Sequence, residues 1–433
     1  MTKLSTFSTS KLFQLAALAI FIVVGTITLS SCEDEIEINA PYEEVTVIVG
    51  LLDPNEDIHF VKINKLFSGE DNALALAKDR GEAEYGEELT AIVEEYDYNA
   101  LSNDTVTTNR SWLLTDTIVS SKDSGIFYYP EQTVYKFEAR LKRPDYNNEV
   151  YPLYKIKINR PDGTEVSSWT PVVQVPITNG VTVIDAVVTN LNGYRNSGVG
   201  FMNSTTVNPS VRFNILPPVF TKGLEMNLIF NWRDFDASNN VLADRSVDIP
   251  MGTQSVGTVA KTGNQRQDQT FRISGEAFYE AVAANTTPIL DSEAVKRQPD
   301  SASIELNLWL AGEELQTFID LNSPSQTLLE EKPAYTNIEN GLGVWSSRTN
   351  LSVDLKISKA SMNELIDALE LGLTGDRGFC DNEAPVGSPE SCNLLFCKCD
   401  IFTTIRVRSD VLVSLFYLNT DRIAPFLRII RMA

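Results

Sequence analysis

Histidine is almost absent from this 433-residue chain, with His59 the one example. Ser-His-Asp and Cys-His catalysis would have to use that residue, and a zinc site built from several histidines is excluded. His59 lies in the alternating run "DIHFVKINK" and reads as a surface strand residue rather than a catalyst. Carboxylate-only chemistry stays open. Cysteine is sparse and unevenly placed: after Cys32 the next 347 residues hold none, and Cys380, Cys392, Cys397 and Cys399 crowd into the last 54. That spacing rules out a disulfide-built scaffold, although Cys380 and Cys392 are spaced to close a small loop. Cys397-Lys398-Cys399 has no histidine near it and reads as no metal site. Basic charge is in short supply as well. Thirty-six Lys and Arg face 58 Asp and Glu, a net charge of −22, which argues against nucleic acid or an anionic lipid surface as ligand.

What is present begins at the N-terminus. Residues 1–31 carry Lys3 and Lys11, no acidic residue, and an apolar run from Leu12 to Ile27 that is short for a membrane span. Leu29-Ser30-Ser31-Cys32 then fits the bacterial lipobox: an aliphatic residue, two small ones, and the cysteine whose thiol receives a diacylglycerol after cleavage. Several acyl chains on one residue hold a protein on a bilayer far more firmly than one chain can. Cleavage before Cys32 leaves 402 residues with a charge of 34 − 58 = −24, enough chain for two or three domains. Glu33, Asp34 and Glu35 follow at once. As a plain charge run they read as a solvated tether over 32–40. Lipoproteins of Bacteroidota that reach the cell exterior carry a similar acidic export signal, which puts surface display ahead of a periplasm-facing anchor.

From Glu43 onward the dominant period is two. "EVTVIVGLL", "HFVKINK" (59–65) and "LTAIVEEYD" (89–97) are rich in Val, Ile and aromatics, as half-buried strands are. Residues 66–88 read as loop, and a Ser/Thr/Asn-rich stretch follows around 101–122. "KDSGIFYYPEQTVYKFEARL" predicts a turn, a short aromatic strand, then a strand over Val134 to Leu141. In "YPLYKIKINRPDGTEVSSWTPVV", Tyr154, Ile156 and Ile158 point one way and Lys155 and Lys157 the other, with Pro161-Asp162-Gly163 turning into a second strand. Residues 41–175 therefore predict an antiparallel β-sandwich. "TPVVQVPITNG" marks a boundary. Beyond it, 178–393 predicts a larger β-sandwich or barrel-like domain, with strands at "VTVIDAVVTNL" (181–191), "VRFNILPP" (211–218) and "LEMNLIFNWRDF" (224–235) and a flexible polar run at 261–270. Three strand–helix units follow, 271–284, 304–321 and 352–370. Their helices align Phe278 with Val282, Leu315 with Phe318, and Leu365 with Leu369, and Ser361 and Glu364 stand at capping-box spacing. Such helices predict plugs or flanks of the β-structure rather than a cofactor box. The fold class expected is mainly β.

No motif names a reaction. "AYTNIENGLGVWSSR" (334–348) contains Gly341-Leu342-Gly343, which lacks the third glycine and the strand–helix context of a phosphate loop and marks a bulge or close approach instead. Asp234-Phe235-Asp236-Ala237-Ser238 opens like a calcium loop, but position six is Asn239 and position twelve is Arg245, so an EF-hand is rejected. Asp104-Thr105-Val106, Asp116-Thr117-Ile118 and Asp300-Ser301-Ala302 resemble the O-glycosylation sites of exported Bacteroidota proteins, with Thr105, Thr117 and Ser301 as acceptors in loop-like settings. From Leu394 six basic residues meet three aspartates, so 394–433 carries +3 where the preceding mature part carries −27. That tail reads as a docking segment, a closing strand pair, or a frame-shifted appendage.

Taken in order, "LSSCEDE", "EVTVIVGLLDPNEDIHFVKINKLF", "DSGIFYY", "YKIKINRPDGTEVSSWTPVV" and "TNIENGLGVWSSR" resemble a family of uncharacterised Bacteroidota outer-membrane lipoproteins, over roughly 32–392. The resemblance implies an immunoglobulin-like N-terminal sandwich and then a larger β-rich domain. Family members commonly accompany TonB-dependent receptors, which implies an accessory, non-catalytic part in nutrient capture by binding a receptor, a ligand, or both. No catalytic residue, metal or cofactor is expected. An adhesin or cell-envelope structural protein is the alternative, and a carboxylate-dependent glycan hydrolase, needing two acidic groups across a cleft, stands third.

Overall fold

A computed structural model describes residues 45–380, apart from 67–77, 86–88, 121, 126–127, 179–180, 289–293, 295, 323–334, 368–370, 372–373 and 375–376. The chain is mainly β, in several open sheets, with no closed barrel among the described residues. Strands β1 (Thr46–Leu52), β2 (Ile58–Lys65), β3 (Thr90–Asn99), β4 (Asp104–Leu113), β5 (Thr115–Val119), β6 (Gln132–Glu138), β7 (Val150–Asn159) and β8 (Glu165–Pro171) build the first sandwich. After the short pairs β9–β10 (Ile177–Thr178, Val181–Thr182) and β11–β12 (Met202–Asn203, Thr206–Val207) come β13 (Val211–Ile215), β14 (Thr221–Phe235), β15 (Val241–Ser255), β16 (Gln269–Ile273), β17 (Lys296–Gly312) and β18 (Gly341–Leu355).

Alternation explains β7. Tyr154, Ile156 and Ile158 are fully buried, while Lys155 and Lys157 face outward and pair with Glu165 at 3.8 Å and Glu94 at 2.7 Å. The turn after β7 is closed by Gly163, at φ 86°, with its N–H on the Arg160 carbonyl at 3.0 Å. One face of the sandwich is the sheet β4-β3-β7-β8. The other belongs to an eight-stranded sheet, β15-β14-β17-β18-β1-β2-β6-β5, that continues into the second half of the molecule.

Strand β18 makes that continuity. Its first half runs parallel to β1, from Thr46 opposite Gly341 to Leu52 opposite Ser347. Its second half runs antiparallel to β17, from Ala311 opposite Arg348 to Ile304 opposite Leu355. Fifteen strand residues span about 50 Å, long enough to serve both cores. Trp345 is fully buried in the first core with Ile48, Val61, Tyr154 and Ile156, and Leu351, Val353 and Leu355 lie in the second with Phe213, Phe230, Phe278 and Leu308. The glycines before Trp345 allow the approach. Gly343 sits at φ 108°, and a Cβ there would lie 2.0 Å from the Ile48 carbonyl oxygen; a Cβ on Gly50 would meet the Trp345 ring at 2.6 Å.

The three strand–helix units form at β16 with helix Gly275–Ala284, β17 with Glu313–Asn322, and β18 with Lys359–Asp367. Phe278 and Val282 are fully buried, and Phe278 stacks on Phe201 at 3.8 Å. The capping arrangement of the third helix differs from expectation. Ser358 caps it through the Ser361 N–H at 3.3 Å, while Ser361 Oγ, fully buried, accepts from the Phe201 and Met202 N–H groups at 2.7 and 3.1 Å.

Other expectations are corrected. Residues 104–113 and 115–119 are strands, unseen in the sequence because they are edge strands largely exposed on both faces and so carry no apolar period. Residues 181–191 form a two-residue strand, a 3-10 turn over Ile184–Ala186 and the start of helix Leu191–Ser197 instead of one strand. Tyr128 and Tyr129 are not in a strand; they precede the cis bond to Pro130. His59 is buried in β2 rather than on the surface, 2% exposed, with Nε2 3.0 Å from the Ala139 carbonyl and its ring 5.0 Å from Phe137, and burial lowers its pKa.

Candidate functional site: the seam cavity

Where β18 passes from one core to the other, four segments meet around a cavity of about 330 Å³. The β1–β2 turn supplies Pro54 and Asn55, the β6–β7 connection supplies Arg140, Leu141 and Arg143, the linker after β8 supplies Gln174, Val175, Thr182 and Ile184, and β18 supplies Thr349 to Ser352. Cavities at junctions between folded units are where small ligands most often bind, and this volume is at the lower end of the usual range.

The walls are held by side chain to backbone bonds that span the seam. Asn55 is set by its own turn, its N–H on Asp53 Oδ1 at 3.0 Å. Its amide then donates to Thr349 Oγ1 at 3.1 Å and to the Asn350 carbonyl and side-chain oxygens at 3.2 and 2.9 Å. Ser347 Oγ accepts from the Val173 N–H at 3.0 Å and donates to the Pro171 carbonyl at 2.8 Å. Gln174 Nε2 donates to the Lys142 carbonyl at 2.7 Å, and Tyr146 donates to the Gln174 carbonyl at 2.7 Å. Beside the cavity Asp53 faces Arg348 at 3.9 Å; burial raises the Asp53 carboxyl, against the pull of the Asn55 N–H and Arg348.

Charge in the lining is of one sign. Arg140 and Arg143 are its charged residues, and no carboxylate, histidine or cysteine lines it. In the run Arg140-Leu141-Lys142-Arg143, Leu141 is buried and Lys142 is held by Asp97 at 2.6 Å. Neither arginine side chain has an ion-pair partner among the described residues. Sequence reading did not single out either residue. The signal was there, as two arginines three apart in a chain of net charge −22.

Elsewhere the buried ionisable clusters are largely filled with donors, although Glu95 Oε1 and Glu225 Oε2 are buried with no hydrogen-bond partner among the described residues. Glu84 accepts from the Thr133 N–H at 2.7 Å, Thr133 Oγ1 at 2.6 Å, Tyr128 at 2.8 Å and Arg80 Nε at 2.5 Å. Burial pushes its carboxyl up, but those donors outweigh burial and hold it at about 2. Burial brings the nearby Lys62 ammonium down to about 8 against the pull of Glu84. A carboxylate so filled with donors clips residues 80–85 to β2 and β6 and is not free to move a proton. Asp234, the first residue of the calcium-like run, is spent on Arg297 and Arg245, each at 3.2 Å, and on Trp232 Nε1 at 3.0 Å. Glu95, fully buried at a β-bulge, receives Arg110 at 2.8 Å and Tyr154 at 2.7 Å on the same oxygen, Oε2.

Of the site residues named from sequence, Cys32, Glu33, Asp34 and Glu35 lie outside the described residues, as do Cys392, Cys397, Cys399 and the segment 394–433. Cys380 is disulfide-bonded. Thr105 is exposed on β4 and Thr117 half-buried on β5, both edge strands rather than loops; Ser301 lies within β17, beside an Asp300 that pairs with Arg233 at 2.7 Å. None of Thr105, Thr117 and Cys380 is among the residues that line the seam cavity. Among the described residues no group of three His, Cys, Asp or Glu is placed to hold a metal ion, and no helix is long and apolar enough to cross a membrane. The chain matches no protein-family model and no curated protein.

Proposed function

We propose that the chain is an outer-membrane lipoprotein of the Bacteroidota type, anchored through Cys32, with its body facing the cell exterior. It acts without catalysis, as an accessory to TonB-dependent nutrient uptake, by binding a receptor, a ligand, or both. The anchoring half of this reading rests on Leu29-Ser30-Ser31-Cys32 followed by Glu33-Asp34-Glu35. The binding half rests on one observation, the cavity at the seam, whose polar lining is guanidinium, amide and hydroxyl and so suits holding a molecule more than cleaving one. Metabolic labelling with an alkyne fatty acid tests the anchor. Label is expected on the native protein and lost in Cys32→Ala, and label retained in that variant refutes it.

The adhesin or envelope-structural reading draws on a different observation. Edge strands β4 and β5 expose Val106, Leu113 and Ile118, and such edges can pair between copies. Polymerisation of the purified protein with rising concentration favours that reading, and a monomer at high concentration sets it aside.

A further inference from the structure

We infer that the seam cavity holds a monosaccharide-sized organic acid, a carboxylate or phosphate ester on a hydroxylated ring, with Arg140 and Arg143 taking the anionic group. The inference rests on the reading of the seam as a ligand site and adds the class of ligand.

Three observations carry it. The first is charge. The residues of the lining include two arginines and no acidic residue, in a chain with 58 acidic residues, and Lys142 between them is already paired with Asp97. Guanidinium is the side chain best matched to the two oxygens of a carboxylate or phosphate, and its planar fork fixes orientation as well as charge. The net negative field of the protein repels anions in general, so two arginines at one cavity with no ion-pair partner among the described residues make a local exception.

The second is size. A volume of about 330 Å³ lies at the lower end of the roughly 300–1,000 Å³ of small-molecule pockets, which suits a ligand of one ring rather than a chain of several. The third is the rest of the lining. Pro54 and the half-buried Ile184 offer apolar surface to a ring, while the exposed Thr182 and Asn350 supply hydroxyl and amide groups as partners for ring hydroxyls. A bare inorganic ion would leave most of that surface unused.

Isothermal titration of the full chain in detergent is the test, with galacturonate and glucose 6-phosphate as acid probes, galactose and glucose as their neutral counterparts, and inorganic phosphate. One or both acids are expected to bind at least about tenfold tighter than the matching neutral sugar, since a charge-assisted contact of this kind is worth about that factor. Preference for galacturonate assigns a carboxylate ligand, and preference for glucose 6-phosphate a phosphate ester. The variant R140Q/R143Q should bind the preferred acid about tenfold more weakly or not at all, with an unchanged melting temperature because both residues are exposed. The inference is overturned if neither acid binds better than its neutral counterpart, if inorganic phosphate binds as tightly as the acids, or if the folded double variant binds as the parent does. Fatty-acid labelling at Cys32 is independent of these outcomes, so failure of the ligand class is distinguishable from failure of the lipoprotein reading.

Discussion

Replacing Trp345 by alanine should unfold a sandwich whose other strands end more than 150 residues earlier in the chain. Trp345 is fully buried against Gly50 of β1, and its Nε1 donates to the Tyr154 carbonyl of β7 at 3.1 Å. A buried Trp→Ala change costs about 3–5 kcal/mol in transfer and cavity terms, and loss of the indole hydrogen bond adds about 1 kcal/mol. The backbone on either side is held by Asn337, whose side chain accepts from the Trp345 N–H at 3.0 Å and donates to its carbonyl at 2.7 Å, so the gap cannot close by simple collapse of β18. A cost of about 4–5 kcal/mol is a large share of the 5–15 kcal/mol that a typical domain has to lose. Urea unfolding followed by amide hydrogen exchange is the assay. The expected result is loss of protection in β3 and β7 of the first sandwich together with the second half of β18. If β3 and β7 keep their protection while only residues 349–355 lose it, the first sandwich stands without β18 and the reasoning is refuted.

Other consequences follow from particular contacts. Gly343→Ala places a Cβ on the Ile48 carbonyl at a φ of 108° and should cost more than about 2 kcal/mol; a melting temperature within a degree or two of the parent contradicts the close approach. Ser361→Ala strips the acceptor from two buried N–H groups, Phe201 and Met202, and should cost about 2–4 kcal/mol in urea unfolding, against under 0.5 kcal/mol if that contact is incidental. The carboxyl of Glu84 lies at about 2 in the fold against an ordinary 4.5, so its ionised form is the one the fold favours. Its contribution, about 3 kcal/mol, is complete above pH ~4.5 and lost as the pH falls through about 2. Glu84→Gln should flatten that part of the stability–pH curve, and an unchanged curve contradicts the role given to its donors. Arg297→Leu leaves Asp234 without its buried partner and should cost about 3–5 kcal/mol by thermal unfolding, a loss that Arg245, on the exposed side, does not offset.

Much of the β-structure was legible because alternation is local. Tyr154, Ile156 and Ile158 declare a buried face within five residues, and the strand–helix units announce themselves by a change of period at 275, 313 and 359. Strands β4 and β5 did not, since an edge strand rich in Thr and Ser buries little and shows no apolar stripe. His59 was misplaced for a related reason. Position in a strand gives a face, and only the arrival of Phe137 of β6 and of Ala139 just after it makes that face interior. The glycines before Trp345 signalled a close approach, but nothing local names the partner strand nearly 300 residues upstream. The cavity was least legible of all, because its lining is gathered from four separated segments and its two arginines are ordinary surface residues until β18 brings the segments together.

The central claim is a membrane-held accessory that works beside a receptor, and co-isolation tests it most directly. A tagged copy is captured from gently solubilised outer membranes and its companions are quantified. The account predicts a TonB-dependent receptor in near-equal amount, lost when Cys32→Ala removes the anchor. Recovery of the protein alone, or only with further copies of itself, would contradict it.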